Sequence, residues 1–192
     1  AKDTGEIELN VRILKDGKAT TWLHKQLKTG DSLPISGPYG RFLVRESAKQ
    51  PMIFMAGGSG LSSPRAMILD LIDRGSTQPM TLVYGQRTAE ELYYDDEFKA
   101  LAAKHAHFTY VPALSEGTST QAASGFVHDI AKAHFKGDFS GHKAYLCGPP
   151  AMIEACIGAL MQGRLYERDI YTEKFLSAAD AEQVRSPLFK RV

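Results

Sequence analysis

The chain has 192 residues, 43% of them hydrophobic, which is enough for one large domain or two small ones with a sizeable core. Its 23 basic and 22 acidic residues leave a formal charge of +1, and no apolar run approaches the roughly 20 residues that span a bilayer, so neither nucleic acid nor a membrane is expected as a partner. Two cysteines, Cys147 and Cys156, are too few for a disulfide framework or an iron–sulfur cluster, and a reducing, cytoplasmic setting is expected.

The N-terminal part of the chain predicts antiparallel β-structure with one short helix. Residues 6–14 alternate between apolar and polar side chains, which is the period of a half-buried strand. Further strands are predicted at 32–36 and 42–44, and a helix at 22–27. Three strands make a thin, open sheet with exposed edges, so self-association through those edges is expected.

From Pro51 onward, apolar strand patterns alternate with helical patterns. The predicted strands are 51–57, 80–86, 108–114, 143–148 and 169–175, and the predicted helices are 63–74, 95–104, 125–134 and 150–163. This alternation is typical of right-handed crossovers and a parallel sheet. Because 52–55 and 81–84 are continuous apolar runs, both faces of the sheet should be covered. We therefore predict a doubly wound α/β fold with five parallel strands in the order 3-2-1-4-5.

The first of these strands runs into a stretch rich in glycine and serine, Met55–Pro64. Because the stretch opens a helix, free backbone N–H groups and the positive end of the helix dipole favour an anion there. The glycines would let a pyrophosphate approach the backbone, and the serine hydroxyls would add donors. The residues predicted to bind it are Gly57, Gly58, Ser59, Gly60, Ser62, Ser63 and Pro64. The pattern is close to G-x-G-x-x-G, but a turn that serves only chain reversal is still an alternative.

A second loop ends the fourth predicted strand at Cys147-Gly148-Pro149-Pro150. In the order 3-2-1-4-5, the first and fourth strands flank the point where the strand order reverses, and ligands bind at the carboxyl ends of strands there. Gly148 and Pro149 are therefore predicted to form the opposite lip of one crevice. For Cys147, a small buried residue is the alternative interpretation, and Cys156 is expected in the core.

Four stretches, taken together, resemble the ferredoxin–NADP reductase family. They are Gly37-Pro38-Tyr39-Gly40, Gly57-Gly58-Ser59-Gly60-Leu61-Ser62-Ser63-Pro64, Cys147-Gly148-Pro149-Pro150 and Glu173-Lys174-Phe175. More narrowly, 36–42, 56–65 and 144–153 resemble the reductase components of multicomponent phenol hydroxylases. The resemblance covers nearly the whole chain.

This resemblance implies an enzyme that passes hydride from NADH to FAD, and then electrons through a [2Fe-2S] centre to the diiron oxygenase component of a phenol hydroxylase. It implies that the glycine-rich loop holds the pyrophosphate of the nicotinamide cofactor. Cys147 would lie beside the nicotinamide, and Phe175 near the flavin with Glu173 close by, which makes these three the expected catalytic residues. Hydride transfer needs little acid–base chemistry from the protein, because the cofactors carry it.

The flavin side of the resemblance is incomplete. The segment on the flavin pyrophosphate matches Gly17, Thr20 and Thr21, although from the residues alone the threonines are helix-cap residues. The Arg-x-Tyr-Ser flavin motif and the cysteine-rich ferredoxin domain of the family do not occur in the sequence, and Ala1 leads almost at once into a strand. We therefore expect a C-terminal fragment, with the [2Fe-2S] centre only in the parent protein.

The expected domain organisation is that of such a C-terminal fragment. Residues 1–48 would be the last part of an FAD-binding barrel, 49–180 the NAD(P)-binding domain and 181–192 a tail. With its flavin site truncated, the fragment is expected to bind NADH, to retain FAD weakly or not at all, and to be inactive or weakly active. A nucleotide-binding module without catalysis is therefore the main alternative. A stand-alone NAD-dependent dehydrogenase is a third, but no acid–base arrangement supports it.

The choice of coenzyme depends on the end of the second strand. Arg87 stands there and could accept the 2′-phosphate of NADP, so its replacement by alanine should weaken cofactor binding. Glu90 and Glu91 follow closely and would repel a phosphate. The narrower resemblance favours NADH.

Overall fold

The computed structural model describes residues 5–37, 39–46, 49–117 and 119–175. Its strands are β1 (Met52–Gly57), β2 (Met80–Gln86), β3 (Phe108–Leu114), β4 (Ala123–Ser124), β5 (Lys143–Gly148) and β6 (Ile170–Lys174). Its α-helices are α1 (Lys18–Lys25), α2 (Ser62–Asp73), α3 (Asp95–Lys104), α4 (Val127–His134) and α5 (Pro150–Gln162). Within these ranges, no helix combines the length and the apolar character that crossing a membrane requires.

The strands form one parallel sheet in the order β4-β3-β2-β1-β5-β6. The predicted doubly wound fold is confirmed, and the five predicted strands keep their predicted order. β4 was not predicted; it adds two residues to the edge beside β3 through the pairs Ala113–Ala123 and Leu114–Ser124. Two residues are too few to show a period.

The core lies in two layers, one on each face of the sheet. Along β1, Ile53 and Met55 pack with side chains of α4 and α5, whereas Phe54 and Ala56 pack with side chains of α2 and α3. Every residue of β1 and of β5 is buried, as expected for strands covered on both faces.

The prediction for the N-terminal part is wrong in its strands. The described residues before β1 contain α1 and no strand, so the strands predicted at 6–14, 32–36 and 42–44 are not formed there. A strand needs a hydrogen-bonded neighbour, and the described residues of this part supply none. Apolar side chains such as Ile7 and Ile35 are exposed as a result.

The short helix also starts earlier than predicted. α1 begins at Lys18 with Gly17 at its N-cap, so Thr20 and Thr21 lie inside the helix and do not cap it. The predicted tail, 181–192, lies outside the described residues.

The segment before β1 is held on the α2 face of the sheet. The Arg45 N–H donates to the Tyr145 hydroxyl at 2.8 Å, and the Lys143 ammonium donates to the Arg45 carbonyl oxygen at 2.6 Å. Lys143 and Tyr145 are two residues apart on β5, so their side chains leave the same face of the sheet. Two side chains of one strand therefore hold the backbone of a single residue, and Phe42 packs beside them.

Candidate functional site

A crevice of about 380 Å³ lies at the carboxyl ends of β1, β2, β3 and β5. Its lining includes the loop after β1, Gly85 and Arg87 at the end of β2, Ser115 after β3, and Pro149 after β5. The start of α4 closes one side with Phe126. In an open α/β sheet, ligands bind at this edge, where the strand order reverses. The two loops predicted to form opposite lips do line one crevice.

The loop after β1 has the geometry that an anion needs. It forms a short 3-10 helix, Gly58–Leu61, which continues directly into α2, and neither helix has a side-chain cap. Gly58 has a φ of +57°, and a Cβ placed on it would meet no atom within 4 Å. Gly58 therefore faces open space beside uncapped N–H groups, an arrangement that fits the pyrophosphate of a dinucleotide.

Gly57 and Gly60 have a different reason to be glycine. A Cβ on Gly60 would lie 2.5 Å from the Cys147 carbonyl oxygen, and one on Gly57 would lie 2.5 Å from the Met152 sulfur. Both glycines thus allow the loop after β1 to pack against the loop after β5 and the start of α5. Contact between these two glycines and a pyrophosphate stays a prediction.

The serines of the loop divide between two surroundings. Ser59 lines the crevice, whereas Ser62 and Ser63 are not part of its lining. The Ser63 hydroxyl instead donates to the Glu173 carboxylate at 2.9 Å. Pro64 is buried in the first turn of α2, where it was predicted to lie.

Three predicted site residues meet beside the glycine-rich loop. Cys147 and Glu173 are neighbours across β5 and β6, and the thiol lies 3.8 Å from the carboxylate oxygen that Ser63 also contacts. Burial and the nearby Glu173 charge raise the pKa of the Cys147 thiol to about 12. Cys147 is therefore a neutral, fully buried thiol at physiological pH, which gives no thiolate nucleophile.

Two further predicted residues lie at the same edge of the sheet. The Phe175 N–H donates to the Gly148 carbonyl oxygen at 3.3 Å, directly after β6, and the Phe175 side chain is 41% exposed. Neither residue is part of the crevice lining. Phe175 is thus held beside Cys147 and Glu173 with much of its ring open to solvent.

Arg87 does not stand alone at the end of β2. Its guanidinium contacts the Glu91 carboxylate through two nitrogens, with Nε 3.3 Å from Oε2. The hydrogen bond from Arg87, aided by the charge of Arg12, holds the pKa of Glu91 below its usual range. All three residues line the crevice, so one carboxylate and two guanidinium groups belong to its lining.

Arg12 and Phe126 are crevice residues that the sequence analysis did not find. The period-two pattern placed Arg12 on the polar side of a strand, with no sign of which surface it would face. Phe126 lines the crevice with its side chain 61% exposed, and its ring stacks on His128 with centroids 5.9 Å apart. An aromatic residue directly after Gly125, at the start of the helix that follows β3, was a signal that could have found it.

The residues predicted to bind the flavin pyrophosphate, Gly17, Thr20 and Thr21, lie at or beside a second cavity of about 660 Å³ at the start of α1. Thr21 and Gly17 line it, but the Thr20 hydroxyl accepts from the Leu14 N–H at 3.1 Å and donates to the Gly17 carbonyl oxygen. Thr20 therefore closes the turn before α1. The lysines that line the cavity are Lys15, Lys18 and Lys25. Their charge fits an anionic group such as a flavin pyrophosphate.

Two protein families match the chain. Residues 54–157 match the oxidoreductase NAD-binding domain and residues 1–43 match the oxidoreductase FAD-binding domain. The chain is 57% identical, over 97% of its length, to the reductase component DmpP of phenol 2-monooxygenase from Pseudomonas sp. (strain CF600). It is 50% identical, over 99% of its length, to the phenol hydroxylase P5 protein of Acinetobacter pittii (strain PHEA-2). It covers 54% and 55% of those two proteins, so it spans about half the length of the curated relatives that it matches.

Solved structures agree with the matches to the NAD-binding and FAD-binding domains. The Amycolatopsis cytochrome P450 reductase GcoB superposes with a TM-score of 0.75 at 32% identity, covering 80% of this chain and 47% of that one. The ferredoxin reductase of carbazole 1,9a-dioxygenase superposes with a TM-score of 0.72 at 24% identity, covering 86% and 49%, and shows the fold alone. Because the NAD-binding match covers more than half of its residues, the chain belongs to the oxidoreductases with this NAD-binding domain, which are those of the ferredoxin–NADP reductase type.

Proposed function

We propose that this chain binds NADH in the crevice and positions it for hydride transfer to FAD. The observation that carries the proposal is the glycine turn at Gly58, open to the crevice beside uncapped N–H groups. The cluster of Cys147, Glu173 and Ser63 next to the turn supplies a polar, largely buried surface for the nicotinamide. The division of the chain into 1–48 and 49–180 stays a prediction.

In this proposal, the residues of the crevice and those beside the glycine-rich loop have distinct tasks. The N–H groups around Gly58 and the Arg12 guanidinium hold the pyrophosphate, and the Phe126 ring covers the adenine. Cys147 and Glu173 pack at the nicotinamide, while Phe175 covers the flavin face. The two cofactors supply the hydride chemistry, so the protein has only to align them and exclude water.

The wider function rests on the relatives. We propose that the whole protein passes electrons from the flavin through a [2Fe-2S] centre, outside this chain, to the oxygenase component of a phenol hydroxylase. The names of the two relatives, a phenol 2-monooxygenase reductase component and a phenol hydroxylase protein, support this proposal. The cytoplasmic setting stays a prediction.

NADH binding tests the proposal directly. We expect calorimetry to give a Kd between about 1 μM and 1 mM for NADH, in the range of ordinary enzyme affinities. Phe126→Ala should weaken binding by about tenfold, because stacking on an aromatic ring contributes on the order of 1–3 kcal/mol per base. Tyr166→Ala is the matched control, since Tyr166 is 68% exposed and is not among the crevice residues. Failure of the wild-type chain to bind NADH would contradict the proposed function, and unchanged affinity in Phe126→Ala would contradict the role of Phe126.

The pair of Arg87 and Glu91 predicts the coenzyme preference. In the wild-type chain, the 2′-phosphate of NADPH would meet the Glu91 carboxylate, whereas the ribose hydroxyls of NADH can donate to it. Glu91→Gln should therefore strengthen NADPH binding by about tenfold, because it removes one like charge and frees Arg87 for the phosphate. Titration with both coenzymes measures the ratio of affinities. If Glu91→Gln leaves the ratio of NADPH affinity to NADH affinity unchanged, the 2′ position of the coenzyme does not lie near Glu91.

A nucleotide-binding chain without catalysis is the second candidate. The observation that favours it is the absence of strands in the described residues before β1, although this part matches the FAD-binding domain. Weak FAD retention, low activity and self-association through the exposed apolar side chains of this part are proposals of this candidate. An absorbance scan of the purified chain separates the two candidates, since stoichiometric bound FAD would exclude the second.

A further inference from the structure

The side chain of Arg65 joins three separate elements. It leaves α2 one residue after Pro64, is 19% exposed, and is not among the crevice residues. Its Nε and Nη2 donate to the two oxygens of Glu97 on α3, at 2.7 and 3.1 Å. Its Nη1 donates to Glu8 of the N-terminal segment at 3.0 Å. Every guanidinium nitrogen therefore has a carboxylate partner, and the plane of the group is fixed by the fork of Glu97.

Tyr94 completes this contact on the side of α3. The Arg65 guanidinium lies over its ring, 4.1 Å from the centroid. The Tyr94 hydroxyl donates to Glu8 and to the Asn10 side-chain oxygen, the latter at 3.1 Å. The Tyr94 hydroxyl and the Arg65 guanidinium together hold the pKa of Glu8 below its usual range, so the carboxylate is ionised at neutral pH.

Arg65 and Tyr94 contact residues that lie just before Arg12 in the sequence. Glu8 and Asn10 are held by Arg65 and Tyr94, and the His24 ring donates to the Val11 carbonyl oxygen at 2.8 Å. Arg12 comes next and lines the crevice. Because the described residues of this segment form no strand, side-chain contacts of this kind decide where the segment lies.

We propose that Arg65 is a positioning residue for the nucleotide: it holds residues 8–12 against α2 and α3 so that Arg12 stands in the crevice. This rests on the proposed function, in which Arg12 meets the pyrophosphate. If the segment leaves α2 for part of the time, the apparent affinity for NADH falls by the fraction of chains in which Arg12 is in place. α2 follows the glycine turn on one side of the nucleotide, and through Arg65 it also fixes the position of the Arg12 guanidinium on the other side.

A double-mutant cycle on NADH affinity tests this coupling. Arg12→Ala should weaken NADH binding by about tenfold, the size of one lost charge-assisted contact. Arg65→Ala should weaken it about threefold to tenfold in the wild-type chain and have no further effect in the Arg12→Ala chain, because it acts only through Arg12. Arg65→Lys keeps the charge but not the fork to Glu97, so it should lie between the wild type and Arg65→Ala.

Arg74, the residue directly after α2, provides a matched control. It also bridges the end of α2 to the part of the chain before β1, through Glu46 at 2.7 Å, and it pairs with Asp70 of α2 at 2.8 Å, but it lies at the far end of α2 from the crevice. Arg74→Ala should leave NADH affinity unchanged. If Arg65→Ala does not fold, Glu8→Ala breaks the same contact from the segment side and should reproduce its effect.

The outcomes separate this inference from the proposed function. Equal losses from Arg65→Ala in the wild-type and Arg12→Ala chains, or no loss in either, would overturn the positioning role while NADH binding stands. A loss of NADH affinity of the same size in Arg74→Ala would also overturn the positioning role. Any loosening of the part of the chain before β1 would then be enough to weaken NADH binding. If the wild-type chain does not bind NADH, the proposed function itself fails.

Discussion

Gly58→Ala should weaken NADH binding by about tenfold or more and lower the melting temperature by about 2–8 °C, whereas Gly60→Ala should lower the melting temperature further. At Gly58, the new methyl group would meet no protein atom, so its cost to folding is the strain of a left-handed backbone, about 1–2 kcal/mol. The methyl would, however, stand in the space proposed for the pyrophosphate. The two substitutions therefore separate ligand approach from loop packing.

At Gly60, the same methyl group would lie 2.5 Å from the Cys147 carbonyl oxygen and 2.6 Å from the Gly148 Cα. Backbone atoms of a buried strand end cannot move aside cheaply, and overpacking of this kind costs about 1–3 kcal/mol or more. In a chain of this size, about 3 kcal/mol corresponds to a fall of roughly 6–12 °C in melting temperature. Calorimetry with NADH and a thermal melt of each variant make the measurement. Full NADH affinity in Gly58→Ala would remove the pyrophosphate from the glycine turn.

Tyr145→Ala should destabilise the fold by about 3–5 kcal/mol, whereas Tyr145→Phe should cost only about 1 kcal/mol. The side chain is completely buried, with its ring stacked between Phe54 and Tyr171 at 5.3 and 5.2 Å between centroids. Alanine would leave a cavity between the Phe54 and Tyr171 rings. Phenylalanine keeps the stack and removes only the acceptor of the Arg45 N–H.

Urea unfolding gives the two free energies, and hydrogen exchange gives a second measurement. In Tyr145→Phe, the Arg45 amide should exchange faster while the amides of β5 keep their protection. Tyr166→Phe is the control, because Tyr166 is exposed and should show no change in either measurement. If Tyr145→Phe costs as much as Tyr145→Ala, the hydroxyl and not the ring would be the main contribution.

The parallel sheet could be predicted because its signals are local. Runs such as Met52–Gly57 are apolar throughout, and every residue of that strand is buried between two layers of helices. Crossover handedness then leaves few possible strand orders, and the predicted one was found. The lack of strands in the described residues before β1 could not be predicted in the same way, because alternation in 6–14 shows only what the segment would do beside a partner strand.

In the site, as in the fold, features set by neighbouring residues could be predicted, and features set by residues distant in sequence could not. The glycine turn and the Cys147 loop are visible as motifs, so their meeting could be predicted. The reason for glycine at 60 could not, because it lies in the backbone of another strand 87 residues later. Arg12 was missed because its place depends on Arg65 and Tyr94, which are distant in sequence, and the Ser63 hydroxyl was assigned to a phosphate because its partner, Glu173, comes from the last strand.

The thiol at the end of β5 has a chemical consequence for a protein proposed to carry reducing equivalents. Peroxides and other oxidants react with the thiolate form of cysteine. Burial, and after it the carboxylate of Glu173, raise the pKa of Cys147 to about 12 and so disfavour that form at neutral pH. We therefore expect sulfenic acid to form slowly at this buried position, so that the sulfur atom beside the glycine-rich loop resists oxidation.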